Sequence, residues 1–492
     1  MAIGKDTGSG ELRCLRAAWS PSRTWLPGSI TRAVRCRAGR GVIAITVAGS
    51  LGLLAGVAAA APASGSVSGG SIAQPAPGTQ LWVSRYNGSG SGTDAALAAA
   101  ASPDGKSVFV TGFSSAANNR DESTTVAYDA VTGTQRWVSL NDFSPGSTAV
   151  AVSPDGRTVF VTGQFGYTTI AYDAATGAQL WVKHYVGGST PTAVVVSPDG
   201  STVYVTGESP GIGPGPIDNF NYVTIAYNAA TGARRWLSRY RVRFSGPRAI
   251  AISPDGRAVY VTGQAASDAA TVAYNAATGA RLWARRYNGR ANGFDAANAV
   301  AVAPGGRIVY ITGGSRGKTS HFDLFTVAYR AGTGAQLWAD RYNGPGNRYD
   351  SGRSVAVTPD GRTVVVAGPS AGAGPVPYLN FATIAYNART GAQRWVSRYA
   401  GGAVSPAAEA KAMVLSPGGS TVFVTGASGG DYATVAYATA TGAQLWVGVF
   451  AGSLAGPTGL AVRPDGGRLY VTGNSYGGLS TDYDWATVAY HT

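Results

Sequence analysis

Three aspartates recur at equivalent places in a repeated sequence pattern. They are the first residues whose type and spacing could support chemistry. Asp94, Asp295 and Asp350 each lie a few residues before an apolar segment. Carboxylates that meet in a folded chain can bind a cation or hydrogen-bond a sugar. Aspartate also caps turns through neighbouring backbone groups, and recurrence at equivalent places favours that structural role. The three residues are therefore candidate ligand contacts, with turn capping as the alternative.

Aromatic residues in non-repeating segments are the second group of candidate ligand contacts, because loop aromatics often contact ligands. This group contains Tyr378, Phe381, Tyr476, Tyr483 and Trp485. The three histidines, His184, His321 and His491, are far apart in the sequence. They predict neither a metal site nor a Ser-His-Asp triad. No catalytic residue is predicted.

The N-terminal region has the pattern of an export signal. Basic residues precede an apolar run at 42–60, and Ala61-Pro62-Ala63 provides a small-residue cleavage site before Ser64. This order predicts a signal peptide at 1–63, with a retained membrane anchor as the alternative. The Gly/Ser/Pro-rich residues 64–78 predict a flexible linker. We expect a secreted or cell-envelope protein.

Charge and cysteine content exclude several classes of function. The net charge is +14, but the basic residues after the predicted signal are not clustered, so no nucleic-acid partner is expected. Cys14 and Cys36 both precede the predicted cleavage site. The exported chain should therefore contain no disulfide, zinc–thiolate site or cysteine nucleophile.

Three short patterns recur eight times between residue 79 and the end, with a period near 50 residues. The first is a strand with tryptophan, as in LWVSRY at 81–86; the second is a pair of apolar strands around an SPDG turn, as at 149–163; the third is TVAY or a close variant. The tryptophans are Trp82, Trp137, Trp181, Trp236, Trp283, Trp338, Trp395 and Trp446. Such a period indicates a propeller or a solenoid.

The pattern predicts an all-β fold, an eight-bladed β-propeller of four-stranded antiparallel blades over residues 79–492. The repetitive part begins with a lone tryptophan strand and ends on a TVAY segment that lacks one. If the N-terminal strand joins the C-terminal blade, both ends of the chain complete one sheet and close the ring.

The segments between TVAY and the next tryptophan carry a family signature. AYDAVTGTQRW (127–137) and AYDAATGAQLW (171–181) fit A-x-D-x-x-T-G-x-x-x-W. This resembles the tryptophan-docking motif of quinoprotein (PQQ-type) eight-bladed propellers, in which the tryptophan packs between blades near the motif's glycine. The eight tryptophans are thus expected to be structural. The SPDGxxVYVTG segments also resemble YVTN-type propeller repeats.

The enzymatic branch of that family holds PQQ beneath a vicinal disulfide, beside a calcium ion and an aspartate base. The resemblance implies this chemistry only where those groups exist, and the exported chain has no cysteine. Because a fold does not confer chemistry by itself, no cofactor and no metal are expected.

Antiparallel alternation places the SPDG turns and the TG turns at one end of the blades, and the longer, variable connections at the other. Variable loops on a rigid scaffold usually carry binding. We expect an exported, monomeric, non-enzymatic propeller that binds a protein or carbohydrate of the cell envelope through the variable loops, with no stable membrane span after cleavage. The alternatives are a PQQ-dependent oxidoreductase and a hydrolase or lyase that uses loop carboxylates.

Overall fold

The computed structural model describes residues 74–492 except 91, 119, 143–145, 164–165, 211–219, 375–377, 402–407, 453–455 and 479–481. The predicted signal peptide and residues 64–73 of the predicted linker lie outside this part of the chain. The described residues form 32 strands and no helix. The all-β prediction is confirmed.

The strands form eight four-stranded antiparallel sheets, numbered here as blades I to VIII, with strands A to D from the inside outwards. Blades I to IV contain β2 (Ala95–Ala101), β3 (Ser107–Ser115), β4 (Asp121–Asp129), β5 (Gln135–Asn141), β6 (Ser147–Val152), β7 (Thr158–Gly163), β8 (Thr168–Asp173), β9 (Gln179–His184), β10 (Pro191–Val196), β11 (Thr202–Pro210), β12 (Phe220–Asn228), β13 (Arg234–Tyr240), β14 (Gly246–Ile252), β15 (Ala258–Ala265), β16 (Asp268–Asn275) and β17 (Arg281–Tyr287). Blades V to VII contain β18 (Asp295–Val302), β19 (Ile308–Arg316), β20 (Phe322–Arg330), β21 (Gln336–Tyr342), β22 (Ser354–Val357), β23 (Thr363–Ala371), β24 (Leu379–Asn387), β25 (Gln393–Tyr399), β26 (Ala408–Leu415), β27 (Thr421–Ser428), β28 (Asp431–Ala438) and β29 (Gln444–Phe450).

Blade VIII joins the two ends of the chain. It contains β30 (Gly456–Val462), β31 (Arg468–Gly478), β32 (Asp482–His491) and the first strand, β1 (Gln80–Tyr86). β1 pairs antiparallel with β32, from Gln80 opposite Tyr490 to Tyr86 opposite Trp485. Strand A of every blade contacts strand A of the next, including blade VIII with blade I. The predicted eight-bladed, closed ring is confirmed.

The SPDG turns form because each residue supplies what a tight turn needs. In the first, the Ser102 hydroxyl donates to Asp104 Oδ1 over 2.6 Å, and the same carboxylate oxygen accepts from the Lys106 backbone N–H. Gly105 has a φ of +69°, a conformation that suits glycine. These bonds hold the pKa of Asp104 below its usual value, chiefly through the Ser102 hydroxyl.

The eight tryptophans lie at the junctions between blades. Trp236, in strand D of blade III, packs against the turn glycine Gly279 of blade IV and between the rings of Tyr204 and Tyr274. Its Nε1–H donates to the Ala276 carbonyl over 2.8 Å. A β-carbon on Gly279 would lie 2.6 Å from the indole, so the closeness of this contact requires glycine.

The same contact recurs around the ring and includes a residue that the sequence assigned to the linker. The pairs are Trp82 with Gly133, Trp137 with Gly177, Trp181 with Gly232, Trp236 with Gly279, Trp283 with Gly334, Trp338 with Gly391, Trp395 with Gly442, and Trp446 with Gly78. The Gly78 N–H donates to the His491 carbonyl over 2.7 Å. The end of the predicted linker is therefore part of the last blade junction, because it supplies the turn glycine that Trp446 needs.

Candidate functional site

The two ends of the propeller differ as the strand pattern predicts. On one, named here the turn face, the C–D turns bond to the A–B turns: the Ala130 N–H donates to the Lys106 carbonyl over 3.0 Å. The other, named the variable face, carries the D–A and B–C connections. There the Asp94 N–H donates to the Tyr483 carbonyl over 2.7 Å, so connections of neighbouring blades interlock.

The three recurring aspartates lie on the variable face but are fully buried. Each carboxylate closes its own D–A loop by accepting a backbone N–H: from Gly88 to Asp94 at 2.7 Å, from Gly289 to Asp295 at 2.8 Å and from Gly344 to Asp350 at 2.7 Å. They belong to three different blade junctions and are not brought together. The geometry matches the capping interpretation.

Burial raises the pKa of all three carboxyl groups, and the backbone donors partly oppose that shift. The nearby hydroxyls of Ser315 and Ser370 also lower the pKa of Asp295 and of Asp350. Only one oxygen of each carboxylate bonds to the loop glycine, and Oδ1 of Asp295 and of Asp350 is buried with no hydrogen-bond partner among the described residues.

The five candidate aromatics divide by burial. Phe381 and Trp485 are 0% exposed: Phe381 packs on Tyr399, and Trp485 packs on Tyr86 and donates to the Phe113 carbonyl over 2.9 Å. They are removed from the candidate contacts, because strands β24 and β32 begin before them and place both side chains in the core.

The other three reach the surface to different degrees. Tyr378 is 45% exposed. Tyr476 and Tyr483 face each other across β31 and β32 as a T-shaped pair with ring centroids 5.7 Å apart, and both are partly exposed. These three side chains remain candidate ligand contacts on the variable face.

The most distinct surface on the variable face is one that sequence reasoning missed, in the connections of blades III to VI. Phe244 is 56% exposed and Phe294 is 38% exposed. The exposed cations around them, which with these two rings are named the basic sector, are Arg241, Arg243, Arg290, Arg316, Lys318 and Arg348. Each described carboxylate in these connections is buried or partly buried.

The basic sector is held together by backbone bonds and ring contacts. The Arg316 N–H donates to the Phe294 carbonyl over 3.0 Å, and the Phe322 N–H donates to the Arg348 carbonyl over 3.1 Å. Phe322 lies between Phe294 and Tyr349, with ring centroids 6.1 Å and 6.0 Å away. The signal that could have found this surface is the concentration of arginine in three successive D–A connections, as in RVRF at 241–244.

The opposite part of the variable face, on blades I and VIII, has a different charge. Asp121 and Asp142 are exposed there, and Glu122 and Asp482 are partly exposed, beside the exposed Arg120. The variable face is therefore electrically asymmetric, with its basic and acidic connections on different blades.

Among the described residues, no three His, Cys, Asp or Glu side chains lie close enough together to hold a metal ion. Within the same part of the chain, no helix has the length and apolarity needed to cross a membrane.

Comparison with protein families agrees with the propeller and its docking tryptophans. The model of the PQQ_2 family, described as outer membrane protein assembly factor BamB, matches residues 68–213, 191–359 and 323–484. The chain belongs to the PQQ_2 family. The resemblance to PQQ-type propellers is thereby confirmed, and the PQQ_2 matches begin just before Gly78 and span all eight blades.

Solved structures share the fold of this PQQ_2-family protein at low sequence identity. Sqt1 from Chaetomium thermophilum is 14% identical, with 82% of this chain and 97% of that chain covered and a TM-score of 0.60. Quinohemoprotein alcohol dehydrogenase from Comamonas testosteroni is 15% identical, with 84% and 76% covered and a TM-score of 0.53. At such identities the likeness concerns the fold alone. No curated protein matches this sequence.

Proposed function

We propose that the protein is an exported, non-enzymatic scaffold that binds an acidic protein partner of the cell envelope through the basic sector of its variable face. The observation that carries the proposal is the pairing of exposed phenylalanines with exposed arginines on interlocked loops. Aromatic residues and arginine are the side chains most enriched at protein–protein hot spots. The matching family is described as an outer membrane assembly factor, which agrees with a role in the envelope.

Charge and rigidity explain why this sector suits an acidic protein. Arginine binds carboxylates through a planar fork with two parallel hydrogen bonds, and five of the six exposed cations are arginine. The loops are tied to the blades by backbone bonds, so little conformational entropy is lost on binding. Phe244 and Phe294 supply apolar contact area between the charges.

Site-specific photo-crosslinking in cells tests the proposal. A photoreactive phenylalanine analogue placed at Phe244 or Phe294 should form one discrete crosslink to a protein, and Arg241→Glu with Arg243→Glu should abolish it. The matched control is the same analogue at Val131, which is 48% exposed on the turn face and should give no such crosslink. Equal crosslinking from both faces, or crosslinks to glycan alone, would contradict a protein partner at this sector.

Calorimetry tests the non-enzymatic part separately. PQQ with calcium is titrated into the purified protein, and we expect no saturable heat. Calcium-dependent binding near one molecule per ring would instead support the quinoprotein alternative.

A further inference from the structure

The innermost strands carry one irregularity each, at the end that faces the variable loops. In seven blades one residue of strand A is skipped in its register with strand B, which is a β-bulge, and Arg353 holds the corresponding position in blade VI. These eight positions, named the bulge ring, are Leu97, Thr148, Thr192, Arg248, Asn298, Arg353, Lys411 and Thr458. Bulges re-aim side chains, and they are frequent next to functional sites.

On blades VIII, I, II and III the bulge ring is uncharged, and two of its threonines join neighbouring inner strands. The Thr148 hydroxyl donates to the Pro191 carbonyl of the next blade over 2.9 Å, and the Thr458 hydroxyl donates to the Ala96 carbonyl over 2.6 Å. Each threonine is thereby satisfied while it joins two inner strands.

The other half, on blades IV to VII, is polar and charged. Arg248 donates from Nη1 to Asn298 Oδ1, and the Asn298 amide donates to the Gly352 carbonyl over 2.7 Å. Further along, Glu409 Oε1 lies 2.8 Å from Lys411 Nζ and 3.6 Å from Arg353 Nη2. One carboxylate is thus shared by two cations, and the third cation bonds to a neutral amide.

This half of the ring is short of anionic groups. The Nε–H of Arg353 is buried and has no acceptor among the described residues. Burial lowers the pKa of Arg248 and the nearby charge of Arg353 lowers it further, while Tyr222, Tyr349 and Glu208 oppose the shift. Because guanidinium groups stay charged, the like charges and the unsatisfied donor are a cost that a bound anion would remove.

We propose that Arg248 and Arg353 bind a small oxyanion, a carboxylate or phosphate group, at the variable end of the inner ring. Guanidinium groups provide the planar, charge-assisted bonds that both kinds of oxyanion accept. Asn298 positions them, because its oxygen accepts from Arg248 and its amide donates to the Ser351 hydroxyl and to the Gly352 carbonyl beside Arg353. The site goes beyond partner binding through the basic sector and does not depend on it.

Calorimetry at low ionic strength tests the site with two probes, inorganic phosphate and succinate, titrated separately into the purified protein. We expect saturable binding near one per ring for at least one probe, and the stronger probe identifies which oxyanion the site prefers. Arg248→Gln and Arg353→Gln should each weaken that binding by about tenfold or more, since each removes a charge-assisted bond. Absence of saturable binding for both probes would overturn the proposal.

Controls separate binding from folding and from the basic sector. Arg257→Gln removes an exposed arginine from the turn face, where the side chain is 87% exposed, and should leave the affinity unchanged. Arg353→Lys keeps the charge without the fork and should give intermediate affinity, with a thermal melt confirming that each variant is folded. Unchanged affinity in the Gln variants would refute the site. Crosslinking from Phe244 should persist in Arg248→Gln, which distinguishes the two proposals.

Discussion

At the scale of single residues, the Asp position of the docking motif varies, and five of the seven contiguous motifs keep a side-chain oxygen there. Asp129 Oδ1 accepts from the backbone N–H groups of Val131 and Thr132. Asn228 Oδ1 accepts the equivalent pair, as do Asn275 and Asn387 in their turns. An amide oxygen is sufficient for these two bonds, so Asn replaces Asp without losing them. Arg330 and Ala438 hold the same position in two other turns and have no side-chain oxygen to accept them.

Trp236 should be among the most sensitive positions in the protein. Trp236→Ala removes the ring contacts with Gly279, Tyr204 and Tyr274 and the bond to the Ala276 carbonyl, and we expect a loss of about 3–5 kcal/mol in the free energy of unfolding. Urea denaturation followed by circular dichroism measures the loss.

Trp236→Phe is the graded control for that substitution. It keeps an aromatic ring in the junction, and the Ala276 carbonyl still accepts from the Tyr204 hydroxyl at 3.2 Å. We expect a loss of about 1–2 kcal/mol. Equal losses for both variants would show that packing against the turn glycine contributes little.

At the scale of elements, the sequence predicts strands more reliably than their ends. Alternating β-branched and aromatic residues with SPDG turns locate all four strands of each blade. Several B and C strands run further towards the variable face than that pattern shows: β31 ends at Gly478 and β32 begins at Asp482. For this reason Trp485, assigned to a loop from the sequence, lies in the core.

The bulge ring could not be predicted from the repeat. A bulge is a property of the register between two strands, and the periodicity of the sequence carries no record of which residue is skipped. The charged bulge residues Arg248, Arg353 and Lys411 are also isolated in the sequence, so only the folded ring brings them near one another.

The capped D–A loops and the SPDG turns should make stability depend on pH with opposite signs. Burial raises the pKa of Asp350, so its folded form binds protons more readily and stability rises as the pH falls towards that pKa. The Thr358 hydroxyl lowers the pKa of Asp360 from its usual value. Ionised Asp360 therefore stabilises the folded state at neutral pH, and this stabilisation is lost in acid.

Asp350→Asn should therefore reduce the gain in stability on acidification from about pH 7 to about pH 5. The amide oxygen can still accept from the Gly344 N–H, so the loop should keep its conformation. Urea midpoints at the two pH values measure the effect. Asp360→Asn is the control and should leave the change over this interval unaltered; an unaltered change in Asp350→Asn would contradict burial as the cause.

At the scale of the whole molecule, ring closure follows from the position of one strand. The lone tryptophan strand at the start of the repeats and the incomplete unit at the end predicted the pairing of β1 with β32, which the structure confirms. The part played by Gly78 was missed, because its segment lacks the A-x-D half of the docking motif and reads as linker.

A disulfide across the closure should stabilise the whole propeller, because it fixes the one junction that joins the two ends of the ring. Val83 and Val488 are opposite each other in β1 and β32 and share one hydrophobic cluster. Val83→Cys with Val488→Cys, in a chain with Cys14 and Cys36 replaced by serine, closes a very long loop, and chain entropy predicts a gain on the order of 5 kcal/mol. The melting temperature should rise under oxidising conditions and fall back with reductant. The single variant Val83→Cys is the control and should show no redox dependence. If the oxidised double variant melts with the control, opening at β1 is not the step that limits stability, and unfolding must begin at another blade junction.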